Sequence, residues 1–260
     1  MTVAALNGGE LWDWANEDIA VISRLIRSIG GAGGPTVQTE LTVAQALPGS
    51  TLDGMVNVTG GTHRAQVGYI ALVLCAKVNG SYVDFYRVEA VPGFTLNPGD
   101  RHTFAVTCQV PVETPPTLEG TEVGLRTELE IAFAVDRSDL DPVHIAANPA
   151  ERHILDCMGS MGFEMVSSHL EKGILDGVPQ SLPFYQEIEF LPGPSHERQL
   201  RKLQVTFVNT EERLHVVVEL DRKVTALADR DVFGHFAVNP ANLDKYNWPA
   251  LLESWLAGLA

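Results

Sequence analysis

The sequence predicts a mainly β protein of two β-sandwich domains, with one helix ahead of them, one opening the second domain and one closing the chain. Three observations carry this. Apolar residues recur at every second position from about residue 35 to about residue 135, and again from about residue 184. Turn signals interrupt those runs at short intervals, as Pro48-Gly49, Gly60-Gly61, Asn79-Gly80 and Asn97-Pro98-Gly99-Asp100. Helical spacing is confined to three segments. The expected division is 1–34 for a helical extension and glycine linker, 35–140 for the first sandwich, and 141–260 for the second β-rich domain.

The first helix is read from ELWDWANEDIAVISRLIRSI, residues 10–29. Leu11, Ala15, Ile22, Leu25 and Ile29 fall on one face, and Trp12, Ile19 and Ile26 widen it. Gly30, Gly31, Gly33, Gly34 and Pro35 stop it. In TFAVTCQV, Phe104, Val106, Cys108 and Val110 point one way. In VGLRTELEIAFAV, Val123, Leu125, Leu129, Ile131 and Phe133 alternate with Arg126, Glu128 and Glu130. VGYIALVLCAKV, Val67 to Val78, is apolar on both faces, as a central strand should be.

The second domain opens on DPVHIAANPAERHILDCMGSMGF, read as a connector and a capped helix at 149–161. Asn148 is a good N-cap, Pro149 suits the first helical position and Glu151 has capping-box spacing. Gly162 fits the left-handed residue past the last turn, and Phe163 the closing apolar contact. Ile154, Leu155, Met158 and Met161 form the buried stripe. LPFYQEIEFLPG then reads as a strand marked by Phe184, Ile188 and Phe190. KLQVTFV and LHVVVEL, joined by Asn209 to Arg213, read as a hairpin. The final helix begins after Trp248 with Pro249 in its first turn.

Composition removes several functions. The 260 residues carry a net charge of −15, split as −9 over residues 1–141 (17 acids, 8 bases) and −6 over the remainder (16 acids, 10 bases). Both halves repel phosphate backbones, and no block of Lys and Arg offsets this, so nucleic acid is excluded as a partner. Cys75, Cys108 and Cys157 are odd in number and widely spaced, which excludes a disulfide framework. The start of the chain lacks a basic region followed by an apolar core, and no apolar run approaches a membrane span. A reduced, cytoplasmic protein without membrane insertion is expected.

Each group of chemistry-bearing residues has a functional and a plainer structural reading. His153 and Cys157 lie i and i+4 on one helix, with His144 before them, as a zinc site would need. A closed site wants four ligands; His63, His102, His169, His196, His215 and His235 are scattered singly along the chain, so the capped-helix reading explains more of the same residues. Asp136, Asp139 and Asp141 lack the glycine and distal glutamate of a calcium loop and read as a solvated connector. The pairs Glu128/Glu130 and Glu187/Glu189 read as solvent faces rather than catalytic carboxylates. Gly30 to Gly34 is followed by no Lys-Ser/Thr, and Gly159-Ser160-Met161-Gly162 is not a nucleophile elbow. No cofactor and no metal are expected. Trp12, Trp14, Ile19 and Ile22 remain as candidate contact residues, for a partner, a second copy or the protein's own sandwich.

Several stretches resemble one family in order. GGTHRAQVGYIALVL, FTLNPGDRHTFAVTCQVPVETPPT and VGLRTELEIAFAVDRSDLDPVHI are similar to the first domain of SpoOM, the bacterial sporulation-control proteins. ISRLIRSIGGAGGPTVQTEL resembles that family's start, and RHILDCMGSMGF, LPFYQEIEFLPG and KLQVTFVNTEERLHVVVELDRK its second half. The resemblance runs from about residue 21 to about 225. The order of the pieces, with the Pro-Gly-Asp and Pro-x-x-Thr-Pro spacings, makes it specific. It implies an arrestin-like fold and a regulatory adaptor that acts through other proteins without catalysis. Residues 1–20 and the tail after about Arg230 depart from the pattern. Two alternatives stay open at this point: a metal-dependent enzyme centred on His144, His153 and Cys157, and a sandwich that binds a small ligand.

Overall fold

The computed structural model describes residues 33–134, 136–222, 232–245 and 247–258. The first helix and the residues Trp12, Trp14, Ile19 and Ile22 lie outside them. Thirteen strands run through the described residues. The first eight are β1 (Thr36–Leu41), β2 (Gln45–Ala46), β3 (Thr51–Thr59), β4 (Ala65–Val78), β5 (Ser81–Leu96), β6 (Arg101–Gln109), β7 (Val123–Ile131) and β8 (Arg137–Ile145). They form a sandwich of two sheets, β1-β3-β6 and β2-β8-β7-β4-β5. Pairing is antiparallel except between β2 and β8, where Gln45 stands opposite His144 in a parallel register.

The period-two pattern fixes which side chains meet between the sheets. Leu52, Val56, Val58, Val106 and Cys108 face inward from the smaller sheet. Ile70, Leu72, Leu74, Leu125, Leu129 and Val143 face them from the larger. Strand β4 is central, and its other face is apolar for a reason. Ala71, Val73 and Cys75 are fully buried there, beside the cross-strand side chains of Arg87, Arg126 and Glu128.

Two expectations are corrected in this half. Phe133 is not the last inward residue of a strand. Strand β7 ends at Ile131, whose amide donates to Asp136 Oδ1 while the Ala132 amide donates to the Gln66 carbonyl. The chain turns there, with Phe133 at φ +60° and its ring wholly in solvent. Nor are Asp139 and Asp141 a solvated connector. Strand β8 continues to Ile145, and both carboxyls lie on its inward face opposite Thr127 and Leu125.

The second half is built on a different plan. Strands β9 (Glu164–Lys172), β10 (Phe184–Leu191), β11 (Leu200–Asn209), β12 (Leu214–Arg222) and β13 (Val232–Val238) form one antiparallel meander. Helices, rather than a second sheet, cover its apolar face: α1 (Pro149–Ser160) and α2 (Trp248–Gly258). Ile154, Met158, Trp248 and Leu252 from the helices pack against Ile188, Leu203, Val205, Val216 and Val218.

Helix α1 has the termini its sequence requires. The Asn148 side chain accepts hydrogen bonds from the amides of Ala150 and Glu151, and Glu151 Oε2 accepts from the Asn148 amide at 2.7 Å. At the other end Gly162 takes φ +86°, and the Phe163 amide returns to the Met158 carbonyl. The two halves share apolar surface. Leu170, Leu182 and Phe184 join the core of the first sandwich, with the Phe184 ring edge-on to Phe85 at 5.7 Å.

Candidate interaction surfaces

The residues suspected of metal binding are held apart. His144 lies at the end of β8, its Nδ1 2.7 Å from Thr117 Oγ1, and burial pushes its pKa down, toward the neutral ring. His153 stands against the Trp248 ring, with centroids 6.2 Å apart. Cys157 faces the second core, where burial pushes its thiol up. The i, i+4 spacing therefore brings two side chains to one helix while α1 directs them to different neighbours. Among the described residues no group of three or more His, Cys, Asp or Glu gathers as a metal would require.

The carboxylate pairs are engaged by cations and amides. Burial raises the Glu128 carboxyl, but hydrogen bonds from Arg87 and Arg126 outweigh it and hold the group below its ordinary range. Arg126 also pairs with Asp84, so an ion-pair lattice covers the outer face of the first large sheet. Glu187 accepts from Gln204 at 2.7 Å, with His169 Nε2 at 3.3 Å, and Glu189 pairs with Lys202 at 3.3 Å. Asp136 serves the Ile131 amide and Asp139 the Thr39 amide. Asp141, half-buried beside Asp139, has its pKa pushed up to about 7 by desolvation first and by that neighbouring charge second. One pairing is invisible in the sequence. His215 and His235, twenty residues apart, stack across β12 and β13 with ring nitrogens 3.0 Å apart.

Two kinds of surface remain for contact with other molecules. The first is sheet edge. Strand β5, sixteen residues long, is outermost in the larger sheet of the sandwich, and β13 is outermost in the second sheet. The edge at β9 is partly closed, because the Ser168 amide donates to the Glu119 carbonyl and Gly120 approaches Ser168 too closely for any side chain. The second is a groove of about 390 Å³ between the turn after β2 and helix α1, lined by Leu47, Pro149, Arg152, His153 and Asp156. The junction of the two halves is closed instead, held by polar contacts that sequence patterns do not announce. The Glu113 carboxylate accepts from the amides of Ser181 and Leu182 and from the Ser181 hydroxyl. Gln186 Nε2 donates to the Pro116 carbonyl and to Thr121 Oγ1, which meets Ser168 Oγ at 2.8 Å. Glu113 lies inside the Pro-x-x-Thr-Pro spacing and Gln186 inside a plain strand pattern, and neither carries a motif of its own.

Comparison with known proteins places this architecture. Residues 22–224 match the family model described as SpoOM protein. The sporulation-control protein spo0M of Bacillus subtilis (strain 168) is 30% identical over 206 residues, covering 76% of this chain and 79% of that protein. The crystal structure of Spo0M from Bacillus subtilis superposes with a TM-score of 0.78 at 26% identity, over 88% of this chain and 100% of that one. The expected mainly β, arrestin-like architecture is thus the observed one.

Proposed function

The chain belongs to the SpoOM family, and on that premise we propose that it is a non-enzymatic regulator that controls sporulation, or a related developmental programme, by binding other proteins. The observation that carries this reading is the match in order along residues 22–224, together with a fold shared over the whole chain of the Bacillus subtilis crystal structure. The placement of His144, His153 and Cys157 favours it over the metal-enzyme alternative, because each of the three serves a separate packing or hydrogen-bonding task.

Partners, a second copy among them, would meet the β5 and β13 edges, since unpaired edge amides and carbonyls accept an added strand. The side chains of Trp12, Trp14, Ile19 and Ile22 are a further contact surface by their sequence pattern. The acidic charge speaks against nucleic acid. Among the described residues no helix is long and apolar enough to cross a membrane, and the proposed place of action is the cytoplasm.

The test is affinity capture of the full chain from its host, with the captured protein re-made and titrated against purified chain. Saturable binding that is lost when a proline is placed in β5 at Val88 supports the reading. Absence of any saturable partner, together with turnover of a small substrate, overturns it.

A further inference from the structure

The outer face of the second sheet, turned away from α1 and α2, carries a pair of imidazoles. Leu214, Val216, Val218 and Leu220 of β12 point into the core beneath the helices, so His215, Val217 and Glu219 point outward. On β13, Phe236 and Val238 face the same core, which leaves His235 outward and exposed. Register sets Val217 opposite His235, and His215, two residues earlier on β12, meets His235 on the diagonal. His215 Nδ1 and His235 Nε2 stand 3.0 Å apart, with the rings 17° from parallel. Beside them Val208 and Thr206 of β11, opposite His215 and Val217, are buried and give the pair a partly dry bed. Burial first, then the charges of His235 and Arg213, lower the pKa of His215, which keeps its ring neutral and a lone pair available.

We propose that His215 and His235 chelate a divalent transition-metal ion of tetragonal preference, copper(II) or nickel(II) ahead of zinc. An imidazole nitrogen sits about 2.0–2.1 Å from such an ion. Two nitrogens 3.0 Å apart then subtend about 90° at the metal. That is the angle between neighbouring ligands of a square-planar or octahedral ion, and it is narrower than tetrahedral zinc asks for. Without metal, one ring donates an N–H to the other. To admit the ion the donor ring moves that proton to its outer nitrogen through solvent, so a neutral pair releases no net proton. With two protein ligands the site is open, unlike the closed site considered around His153. Its remaining positions go to water or to a group brought to β13, the outermost strand. The ligands are pre-placed, because β12 and β13 are paired continuously from Leu214 to Leu220 and the second imidazole binds with little ordering. The net charge of −15 also favours a cation. His235 lies past residue 224, where the family match ends, so the pair is not part of the matched pattern.

The experiment uses the purified full chain without any partner, so it succeeds or fails independently of the proposed function. Copper(II) is titrated at neutral pH in a buffer with glycine as competitor, and the electron paramagnetic resonance spectrum is recorded. One dominant site with the nitrogen splitting of two imidazoles is expected. His215→Ala and His235→Ala should each weaken it about a hundredfold, the advantage that a second tethered ligand confers, while His153→Ala leaves it unchanged. Nickel(II) should bind more tightly than zinc. If either substitution disturbs the fold, the unaltered chain still decides: copper should protect His215 and His235, and not the other six histidines, from diethyl pyrocarbonate, as read by peptide mass. Several weak sites of equal strength, a loss confined to one of the two substitutions or to neither, zinc held more tightly than nickel, or protection spread over other histidines would overturn the proposal.

Discussion

The two halves of this molecule solve one problem differently. The first sandwich buries its sheet against another sheet, and every inward position follows from a period of two. The second sheet is closed by two helices, and its seal is polar at one corner. There Glu151, fully buried, accepts from the Asn148 amide and from Asn209 Nδ2 at 2.7 Å, while Asn148 Nδ2 donates to Asn209 Oδ1 at 2.8 Å. A capping box that would normally sit at a surface is thereby built into the core and tied to the β11–β12 hairpin. Both halves thus have a distributed apolar core, sheet on sheet in the first and helix on sheet in the second, and the second adds a buried polar cluster that ties helix to hairpin.

That contrast can be broken in order of effect. Trp248→Ala should cost the most, about 3–5 kcal/mol, since the side chain is 1% exposed among Phe236, His153 and the second core. Hydrogen exchange should show the loss in β10 to β12 and spare β4 and β7. Uniform loss across both halves would mean that they unfold as one unit through the shared surface at Phe184.

Next comes pH. Burial pushes the Glu151 carboxyl up from 4.5 to about 7, against the hydrogen bonds from Asn148 and Asn209. A group that holds its proton more tightly when folded contributes stability that is complete below 4.5 and lost as pH rises through about 7. Chemical denaturation between pH 5 and 8 should register that fall, on the order of 3 kcal/mol. Glu151→Gln should flatten the profile at the cost of one unmade hydrogen bond, about 1–3 kcal/mol. Asp141 is raised in the same direction in the first half, so Asp141→Asn should remove the part of the slope that Glu151→Gln leaves.

Smaller effects follow. Glu113→Ala removes the acceptor that the Ser181 and Leu182 amides share, and should cost about 1–2 kcal/mol. Increased amide exchange at residues 181–182, with β4 unchanged, would mark it as a junction contact. Smallest of all, His153→Ala should leave metal content unaltered by elemental analysis and shift stability by under about 1 kcal/mol. Stoichiometric zinc lost on that substitution would restore the enzyme alternative.

The same contrast explains what could be read from sequence. Alternation placed β6, β7, β10 and the β11–β12 hairpin, a run apolar on both faces placed β4, and Asn148, Pro149, Glu151 and Gly162 placed α1 at both ends. Strand β8 escaped because Asp139 and Asp141 look solvated; their burial comes from β1 and β7 beside them, through contacts such as Thr39 to Asp139 across 100 residues. Phe133 was misplaced because its alternation continued after hydrogen bonding had already closed the turn. The helical cover of the second sheet was not legible either, since an inward-facing strand has the same pattern under a helix as under a sheet. The junction contacts of Glu113 and Gln186 join loops distant in sequence, and no local signal could have paired them.

The central claim, that this SpoOM-family chain acts by holding other proteins, is tested most directly by in-cell cross-linking of the full chain beside the same chain lacking residues 1–32. The account predicts the same partner on both forms, bound through the described β edges. A full chain that cross-links to no protein above background while the purified protein turns over a small substrate would contradict it.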